Sequence, residues 1–186
     1  MKMNLPNKIT CFRIILVPFL VFFLLNGDNR YSSPLSLALF ILASVSDFLD
    51  GHIARKYDMV TDLGIFLDPI ADKILVISTM ICFIPIGACH PAVVIIVVSR
   101  EFIISSLRCL AASKSVVIAA GKSGKIKTVF QMVSIISILL LQSIDSIIEN
   151  DIPINTISNI LMWLTVVPTV ISCIEYIVRN RDVISN

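Results

Sequence analysis

The sequence is poor in charged side chains and in histidine. Only 15% of its 186 residues are Asp, Glu, Lys or Arg, whereas 56% are hydrophobic and the mean hydropathy is +0.93. This balance excludes an ordinary soluble domain and is typical of an integral membrane protein. The two histidines, His52 and His90, are too few and too isolated to form a zinc site.

Paired cysteines and flexible linkers are also missing. The five cysteines form no C-x-x-C pair and most lie in apolar runs, so we interpret them as buried free thiols. No Gly-, Ser- or Pro-rich linker and no internal repeat divides the chain, which predicts a single domain over residues 1–186. No small-residue cleavage site follows the first apolar run, so we expect a retained helix and not a removed signal peptide. We expect no nucleic-acid partner.

Six apolar segments are each long enough to cross a bilayer, which takes about 20 helical residues. They cover residues 11–27, 34–57, 67–86, 91–113, 125–145 and 154–178. The predicted fold is therefore all-α, an integral membrane bundle of six transmembrane helices. In residues 1–10, Leu5 and Ile9 continue to Phe12 at helical spacing, which indicates either a short interfacial segment or a plain membrane anchor.

Lysine and arginine are distributed unequally between the two ends of these helices. Fourteen of the fifteen fall at one set of ends and only Arg30 falls at the other. The positive-inside rule assigns the richer set to the cytoplasm. Because the number of spans is even, both termini are predicted to be cytoplasmic. The fourteen residues are Lys2, Lys8, Arg13, Arg55, Lys56, Lys73, Arg100, Arg108, Lys114, Lys122, Lys125, Lys127, Arg179 and Arg181.

Four carboxylates, Asp47, Asp50, Asp68 and Asp72, lie within 26 residues of this apolar chain. Asp47 and Asp50 are three residues apart, and Asp68 and Asp72 are four apart, so each pair shares a helix face. A short loop joins the second and third helices, so the two pairs are predicted to face each other near the cytoplasmic end. Ionisable groups at membrane depth are costly and indicate function. Oxygen ligands in this arrangement suit one or two ions of Mg²⁺, Mn²⁺ or Ca²⁺.

Two other interpretations of these acids remain open from the residues alone. One is a set of ion pairs between helices, but with only Arg55 and Lys73 nearby in sequence some buried charge would stay unpaired. The other is the ion site of a small cation or phosphate transporter, which typically lies near the midplane between broken helices. Small residues beside the acids, namely Gly51, Ala54 and Gly64, and Arg55 at the membrane edge favour a phosphate-bearing ligand.

Together these residues form the string D-x-x-D-G-x-x-A-R, eight further residues, and then G-x-x-x-D-x-x-x-D. At every fixed position and spacing the string resembles the signature of the CDP-alcohol phosphotransferases, which are six-helix integral membrane enzymes and commonly homodimers. The resemblance implies that the four acids hold two divalent cations, Mg²⁺ or Mn²⁺, and that Asp72 is the general base. It further implies that the cytidine diphosphate moiety or its metals are surrounded by Asp47, Asp50, Gly51, Ala54, Arg55, Gly64 and Asp68.

Four further motifs resemble one branch of that family, the phosphatidylglycerophosphate synthases. They are L-P-N-K-I-T-C-F-R at 5–13, D-P-I-A-D-K at 68–73, R-E-F-I-I-S-S-L-R at 100–108 and G-K-I-K-T at 124–128. The resemblance covers about residues 4–135. It implies transfer of a phosphatidyl group from CDP-diacylglycerol to sn-glycerol 3-phosphate in phospholipid biosynthesis. The expected location is the inner membrane of a bacterium, with the site facing the cytoplasm.

Basic residues in the last turns of the fourth helix and beyond it support a phosphorylated acceptor independently of that resemblance. We expect Arg108, Lys114, Lys125 and Lys127 to bind the acceptor phosphate, because a ligand with its own phosphate needs a basic pocket. The alternative is that they are positive-inside anchors that also attract anionic lipid. Glu101 is expected to pair with one of its neighbouring arginines. Other acceptors within the family, such as inositol phosphate, serine or phosphatidylglycerol, and the transporter remain as alternatives.

Overall fold

A computed structural model describes residues 4–26, 30–57, 61–114, 116, 121–148 and 153–181. In these ranges the chain forms six helices and no strand, which confirms the all-α prediction. The helices are α1 (Leu5–Leu25), α2 (Ser32–Lys56), α3 (Asp62–Cys82), α4 (Pro91–Ser113), α5 (Lys122–Ile148) and α6 (Ile154–Arg179). Helices α1, α3 and α5 begin several residues earlier than the hydropathy pattern predicts, because polar first turns extend each helix beyond its apolar run.

Four helices, α1, α2, α5 and α6, are long and apolar enough to cross a membrane. Helices α3 and α4 are of similar length but carry more charge within their apolar stretches. The charged residues in question are Asp68, Asp72 and Lys73 in α3, and Arg100, Glu101 and Arg108 in α4. The count of six spans and the cytoplasmic position of both termini therefore stay predictions.

Contacts near the helix ends indicate an up-and-down arrangement. Arg30, just before α2, donates from Nη2 to the carbonyl oxygen of Ile147 at 2.5 Å, close to the end of α5. Near the other ends, Arg108 Nε of α4 donates to the Tyr176 hydroxyl of α6 at 3.4 Å. The start of α2 thus lies beside the end of α5, and the end of α4 lies beside the end of α6. Both contacts are those expected when successive helices run in opposite directions.

Helix α1 packs against both α2 and α3, whereas α2 and α3 contact each other much less. Its first turns are buried, since Asn7 is 3% exposed and Thr10 is 1% exposed. Residues 5–10 therefore form the first turns of α1, with Asn7 and Thr10 facing the bundle. The prediction that α2 and α3 pack directly against each other is wrong. The two helices are joined mainly through α1, whose polar residues contact both of them.

All six helices contribute to the core, α4 through Val93 and Val97. The core also includes Leu20 of α1, Phe40 of α2, Leu75 of α3, Ile138 of α5 and Met162 of α6, each at most 1% exposed. Close packing of this kind fixes the relative positions of the helices. The polar ends of α1, α2 and α3 are thereby held beside those of α4, α5 and α6.

Candidate active site

The acidic cluster is organised around a side chain from α1. Arg13 is 0% exposed and donates from Nη1 to Asp47 Oδ1 at 2.5 Å and from Nη2 to Asp50 Oδ2 at 2.6 Å. The two carboxylates lie one turn apart on α2, so one planar guanidinium reaches both. Asp50 is 3% exposed, whereas the side chain of Asp47 is 43% exposed. The cluster therefore has a buried side and a side open to ligands.

A hydroxyl on α1 links the two acidic pairs. Thr10 Oγ1 lies 3.1 Å from Asp50 Oδ2 on α2 and 2.9 Å from Asp68 Oδ1 on α3. Thr10 and Arg13 are three residues apart and so share a face of α1. Helix α1 thus links Asp47, Asp50 and Asp68 through Arg13 and Thr10, whereas no contact in the described residues joins Asp72 to them.

The charge balance of this cluster bears on whether it suits a divalent cation. Among the described side chains, Asp68 and Asp72 have no ion-pair partner within 4 Å, and Arg13 is the only cation paired with Asp47 or Asp50. Four carboxylates with one guanidinium leave excess negative charge on hard oxygen donors, which suits Mg²⁺ or Mn²⁺.

The arrangement of these carboxylates shows what metal binding requires. Within the described ranges no three Asp, Glu, His or Cys side chains are grouped closely enough to surround an ion. Arg13 occupies one oxygen of Asp47 and one of Asp50. The other oxygens of Asp47 and Asp50 remain available, so the donor set fits a divalent cation chemically, and binding one requires the acids to lie closer together than they do here.

A cavity of about 920 Å³ opens beside the acids and continues to the basic residues. Asp47 and Asp72 line one part of it, and Arg108, Lys125 and Lys127 line another. Asp72 lies within electrostatic range of both the acidic and the basic cluster. The predicted acidic and basic residues thus line one cavity, although they belong to different sequence motifs that are distant along the chain.

The basic part of the cavity contains one carboxylate. Glu101 accepts from Arg100 Nη1 at 2.9 Å and also pairs with Lys127, while Lys73 Nζ lies 3.9 Å from it. Lys73 donates to Ser105 Oγ at 2.5 Å, so it faces this group and not the acidic cluster. One negative charge among three cations leaves the group net positive, which favours binding of an anion.

The remaining predicted acceptor residues fall in different places. Arg108 is exposed, lines the cavity and lies with its guanidinium 5.8 Å from the ring of Tyr176. Lys125 is exposed and also lines the cavity, whereas Lys114 does not line it. The predicted pairing of Glu101 with a neighbouring arginine is confirmed for Arg100 only.

The structure describes only some of the small residues of the motif. Gly51 lies in the last turns of α2, while the side chains of Ala54 and Arg55 are outside the described residues. Gly64 is buried in the first turn of α3, where an added Cβ would lie 2.9 Å from Asn7 Oδ1. Its neighbour in the structure is therefore α1, and the predicted contact with the nucleotide stays a prediction.

Sequence reasoning missed Arg13 and Thr10 as members of the site. Arg13 was counted among the positive residues at the helix ends and lies in the motif at 5–13, but it was given no role in the site, although it lies within an apolar run that continues to Leu25. A charge inside such a run is itself a signal of function. Thr10 gave no signal of its own, because a hydroxyl in an apolar helix commonly bonds to a carbonyl of the preceding turn.

Comparisons with known proteins show to which family the chain belongs. A family model described as CDP-alcohol phosphatidyltransferase matches residues 3–171. A protein of Bacillus subtilis (strain 168) named CDP-diacylglycerol--glycerol-3-phosphate 3-phosphatidyltransferase is 36% identical, with 96% of each chain covered. One of the same name from Rickettsia typhi is 37% identical over 93% of this chain and 94% of its own. A probable phosphatidylglycerophosphate synthase of Mycobacterium tuberculosis is 33% identical over 97% and 83%, respectively. With a family match over most of its length and relatives covered almost end to end, the chain belongs to the CDP-alcohol phosphatidyltransferase family.

Proposed function

We propose that this protein transfers the phosphatidyl group of CDP-diacylglycerol to sn-glycerol 3-phosphate, giving phosphatidylglycerol phosphate and CMP. The observation that carries the proposal is the shared cavity, lined by Asp47 and Asp72 in one part and by Arg108, Lys125 and Lys127 in another. One ligand in this reaction carries a pyrophosphate and the other carries a phosphate and a reacting hydroxyl. The relatives named above bear the name of this reaction.

In this proposal Asp72 is the general base. A free hydroxyl of glycerol 3-phosphate gives its proton to the Asp72 carboxylate, and its oxygen forms a bond to the phosphorus that carries diacylglycerol. The bond from that phosphorus to the bridging oxygen of the pyrophosphate breaks, and CMP leaves with the electron pair. Asp72 lines the cavity between the acidic and basic clusters, so a hydroxyl held by the basic residues reaches it.

Members of this family generally depend on a divalent metal. Asp47, Asp50, Asp68 and Asp72 would hold one or two ions, most simply Mg²⁺ or Mn²⁺, and a bound ion would neutralise charge on the pyrophosphate. Arg13 keeps Asp47 and Asp50 together on one side of the cavity, and Thr10 keeps Asp68 beside them. These two α1 residues position the acids without contacting the acceptor.

The acceptor phosphate is assigned to the basic part of the cavity. Lys127 is 5% exposed and is held by Glu101, whereas Arg108 and Lys125 are exposed and nearer to solvent. Charge-assisted hydrogen bonds to a phosphate contribute about 1.5–3 kcal/mol each. This net positive wall favours glycerol 3-phosphate over an uncharged acceptor. Lys114 lies outside the cavity lining, so the structure supports no acceptor contact from it.

We further propose an inner-membrane location with the cavity open to the cytoplasm, where the water-soluble acceptor is available. The lipid substrate would enter from the bilayer, and the protein would act as a homodimer.

Single cysteines test the orientation, each introduced into a variant without other cysteines and treated with an impermeant maleimide. Lys114→Cys should be labelled only in inverted vesicles. Arg30→Cys should be labelled only in right-side-out vesicles. The reverse pattern would refute the orientation, and native mass spectrometry tests the dimer.

The central experiment measures transfer of radiolabelled glycerol 3-phosphate into lipid. Purified protein with CDP-diacylglycerol should form labelled lipid only when Mg²⁺ or Mn²⁺ is present. Asp72→Asn should abolish turnover while CDP-diacylglycerol binding is largely retained. Asp145→Asn is the matched control, because Asp145 lies in α5 away from this cavity and its loss should leave turnover unchanged.

Three results would contradict the proposal. Near-normal turnover by Asp72→Asn would refute the assignment of the base. Lipid labelling only with inositol phosphate, serine or phosphatidylglycerol would identify a different acceptor in the same family. Movement of label across liposomes without formation of labelled lipid would indicate a transporter.

A further inference from the structure

Two side chains that line the cavity have a buried nitrogen without a hydrogen-bond partner in the described part of the chain, Arg100 at Nε and Gln131 at Nε2. The guanidinium of Arg100 is bonded through its other two nitrogens, to Glu101 and Ser172, whereas no bond is seen for the amide nitrogen of Gln131. Gln131 of α5 is 2% exposed, lines the cavity, and its Nε2 has no hydrogen-bond partner among the described residues. A buried amide donor without a partner is costly, and native proteins rarely keep one without a reason. A ligand atom that accepts this hydrogen bond would remove the cost.

The position of Gln131 relative to the basic residues limits what that ligand atom can be. Gln131 follows Lys127 by four residues on α5, so the two share a face about one helical turn apart, about 6 Å along the axis. Lys125 is exposed, Lys127 is 5% exposed and Gln131 is 2% exposed, so Gln131 is the deepest of the three. An acceptor whose phosphate lies at the lysines would therefore place its carbon chain beside Gln131.

We propose that the amide of Gln131 binds the hydroxyl on carbon 2 of the acceptor, the one that neither reacts nor carries phosphate. The inference rests on the proposed function. Of the three oxygen-bearing carbons of glycerol 3-phosphate, one carries phosphate and one carries the attacking hydroxyl near Asp72. Only the middle hydroxyl is left for a neutral donor at this depth. Gln131 is thus a specificity-determining residue that selects acceptors with a hydroxyl next to the attacking one.

The chemistry of the site predicts a measurable preference. A buried group built to bond a substrate hydroxyl discriminates strongly against an analogue without it, because the group is then left unpaired. The matched analogue is 3-hydroxypropyl phosphate, which keeps the phosphate and the attacking hydroxyl and lacks only the hydroxyl on carbon 2. The wild-type kcat/KM should favour glycerol 3-phosphate over this analogue by at least about tenfold.

The variant that tests the role is Gln131→Met, which keeps the length of the side chain and removes the amide. It should lower kcat/KM for glycerol 3-phosphate by about tenfold or more and leave kcat/KM for the analogue unchanged or higher, so that the preference disappears. Gln142→Met makes the same chemical change elsewhere on α5, away from the cavity, and should keep the wild-type preference.

A stability measurement separates recognition from a structural role. Because the amide nitrogen has no partner among the described residues, Gln131→Met should have an unchanged or higher midpoint of thermal unfolding in detergent. A lower midpoint, or a failure to fold, would show that the amide is bonded within the protein and would overturn the inference. An unchanged preference between the two acceptors in a folded, active Gln131→Met would overturn it as well. A wild-type protein that transfers no label from glycerol 3-phosphate would instead refute the proposed function.

Discussion

Replacing Gly64 with alanine tests whether this motif glycine serves packing or ligand contact. The added Cβ would lie 2.9 Å from Asn7 Oδ1 and 3.3 Å from Thr61 Oγ1. Asn7 is 3% exposed and hydrogen-bonds Thr61, with Nδ2 to Oγ1 at 2.9 Å and Oγ1 to Oδ1 at 3.0 Å. Thr61 Oγ1 also accepts from the Gly64 N–H at 3.1 Å and so caps α3. The added Cβ would therefore displace the Asn7 amide, whose nitrogen and oxygen both bond to the Thr61 hydroxyl.

The size of the effect follows from these contacts. Forcing an extra carbon into a packed site costs about 1–3 kcal/mol. Moving the Asn7 amide away from Thr61 loses a hydrogen bond of about 1 kcal/mol, and alanine in a helix regains up to about 1 kcal/mol relative to glycine. We expect Gly64→Ala to lower the free energy of unfolding by about 2 kcal/mol.

A double-mutant cycle isolates the contact. Asn7→Ala alone should cost about 1–2 kcal/mol, because it removes the bonds to Thr61. Adding Gly64→Ala to that variant should cost almost nothing, since the oxygen that the Cβ meets has gone. The coupling free energy between the two positions should then be about 2 kcal/mol, within the range measured for residues in contact. Gly121→Ala is a control, because the nearest atom to its new Cβ is Ser123 Oγ at 3.5 Å.

The cycle can be measured by unfolding the protein in mixed detergent micelles, with helicity followed by circular dichroism. A Gly64→Ala cost of the same size with and without Asn7 would refute the packing argument. The KM for CDP-diacylglycerol, measured on the same variants, reports on the nucleotide. If Gly64 also contacts it, the double variant will match Asn7→Ala in stability and have a higher KM.

Three further outcomes follow from buried or constrained groups. Glu101→Gln leaves buried Lys127 without its carboxylate and should lower the free energy of unfolding by about 3–5 kcal/mol, and adding Lys127→Met should restore part of that loss. Gly87 has a φ of 74°, a backbone conformation that is strained for residues with a side chain, so Gly87→Ala should lower the free energy of unfolding by about 1–2 kcal/mol. An equal effect of Gly121→Ala would show that this backbone strain is not the cause. Burial raises the pKa of the Cys89 thiol to about 11, so in the folded protein this thiol should react slowly with maleimide at pH 8 and faster as the pH rises. Mass spectrometry measures the labelling, and rapid labelling of Cys89 at pH 8 would contradict this reasoning.

Much of the fold was predictable because the signals are local. The lengths of apolar segments, Pro91 at the start of α4 and Pro153 before α6 are properties of short stretches, and the boundaries of α4 and α6 were correct or nearly so. The pairing of acids on one helix face follows in the same way from a spacing of three or four residues. For each of these features, the information lies within one helix.

What could not be predicted depends on contacts between helices that are distant in sequence. Arg13 reaches Asp47 across 34 residues, and Thr10 reaches Asp68 across 58. Charge counting assigned Arg13 to the membrane edge, because the count uses only its place along the chain. Gln131 could not be recognised for a similar reason, since the absence of a partner for its amide is defined only by the packed neighbours.

The position of α1 explains why the acids tolerate one another before any ligand binds. Two carboxylates of α2 and two of α3 would repel strongly in an apolar bundle, and burying an uncompensated charge is expensive. Arg13 neutralises part of that charge, and Thr10 supplies a hydrogen bond between the pairs, so α1 allows the acids to assemble. Among the described side chains one guanidinium does not balance four carboxylates, so this group of residues keeps a net negative charge. Under the proposed function, the same partial compensation that permits folding leaves the acids able to attract a cation, next to the basic residues assigned to the acceptor phosphate.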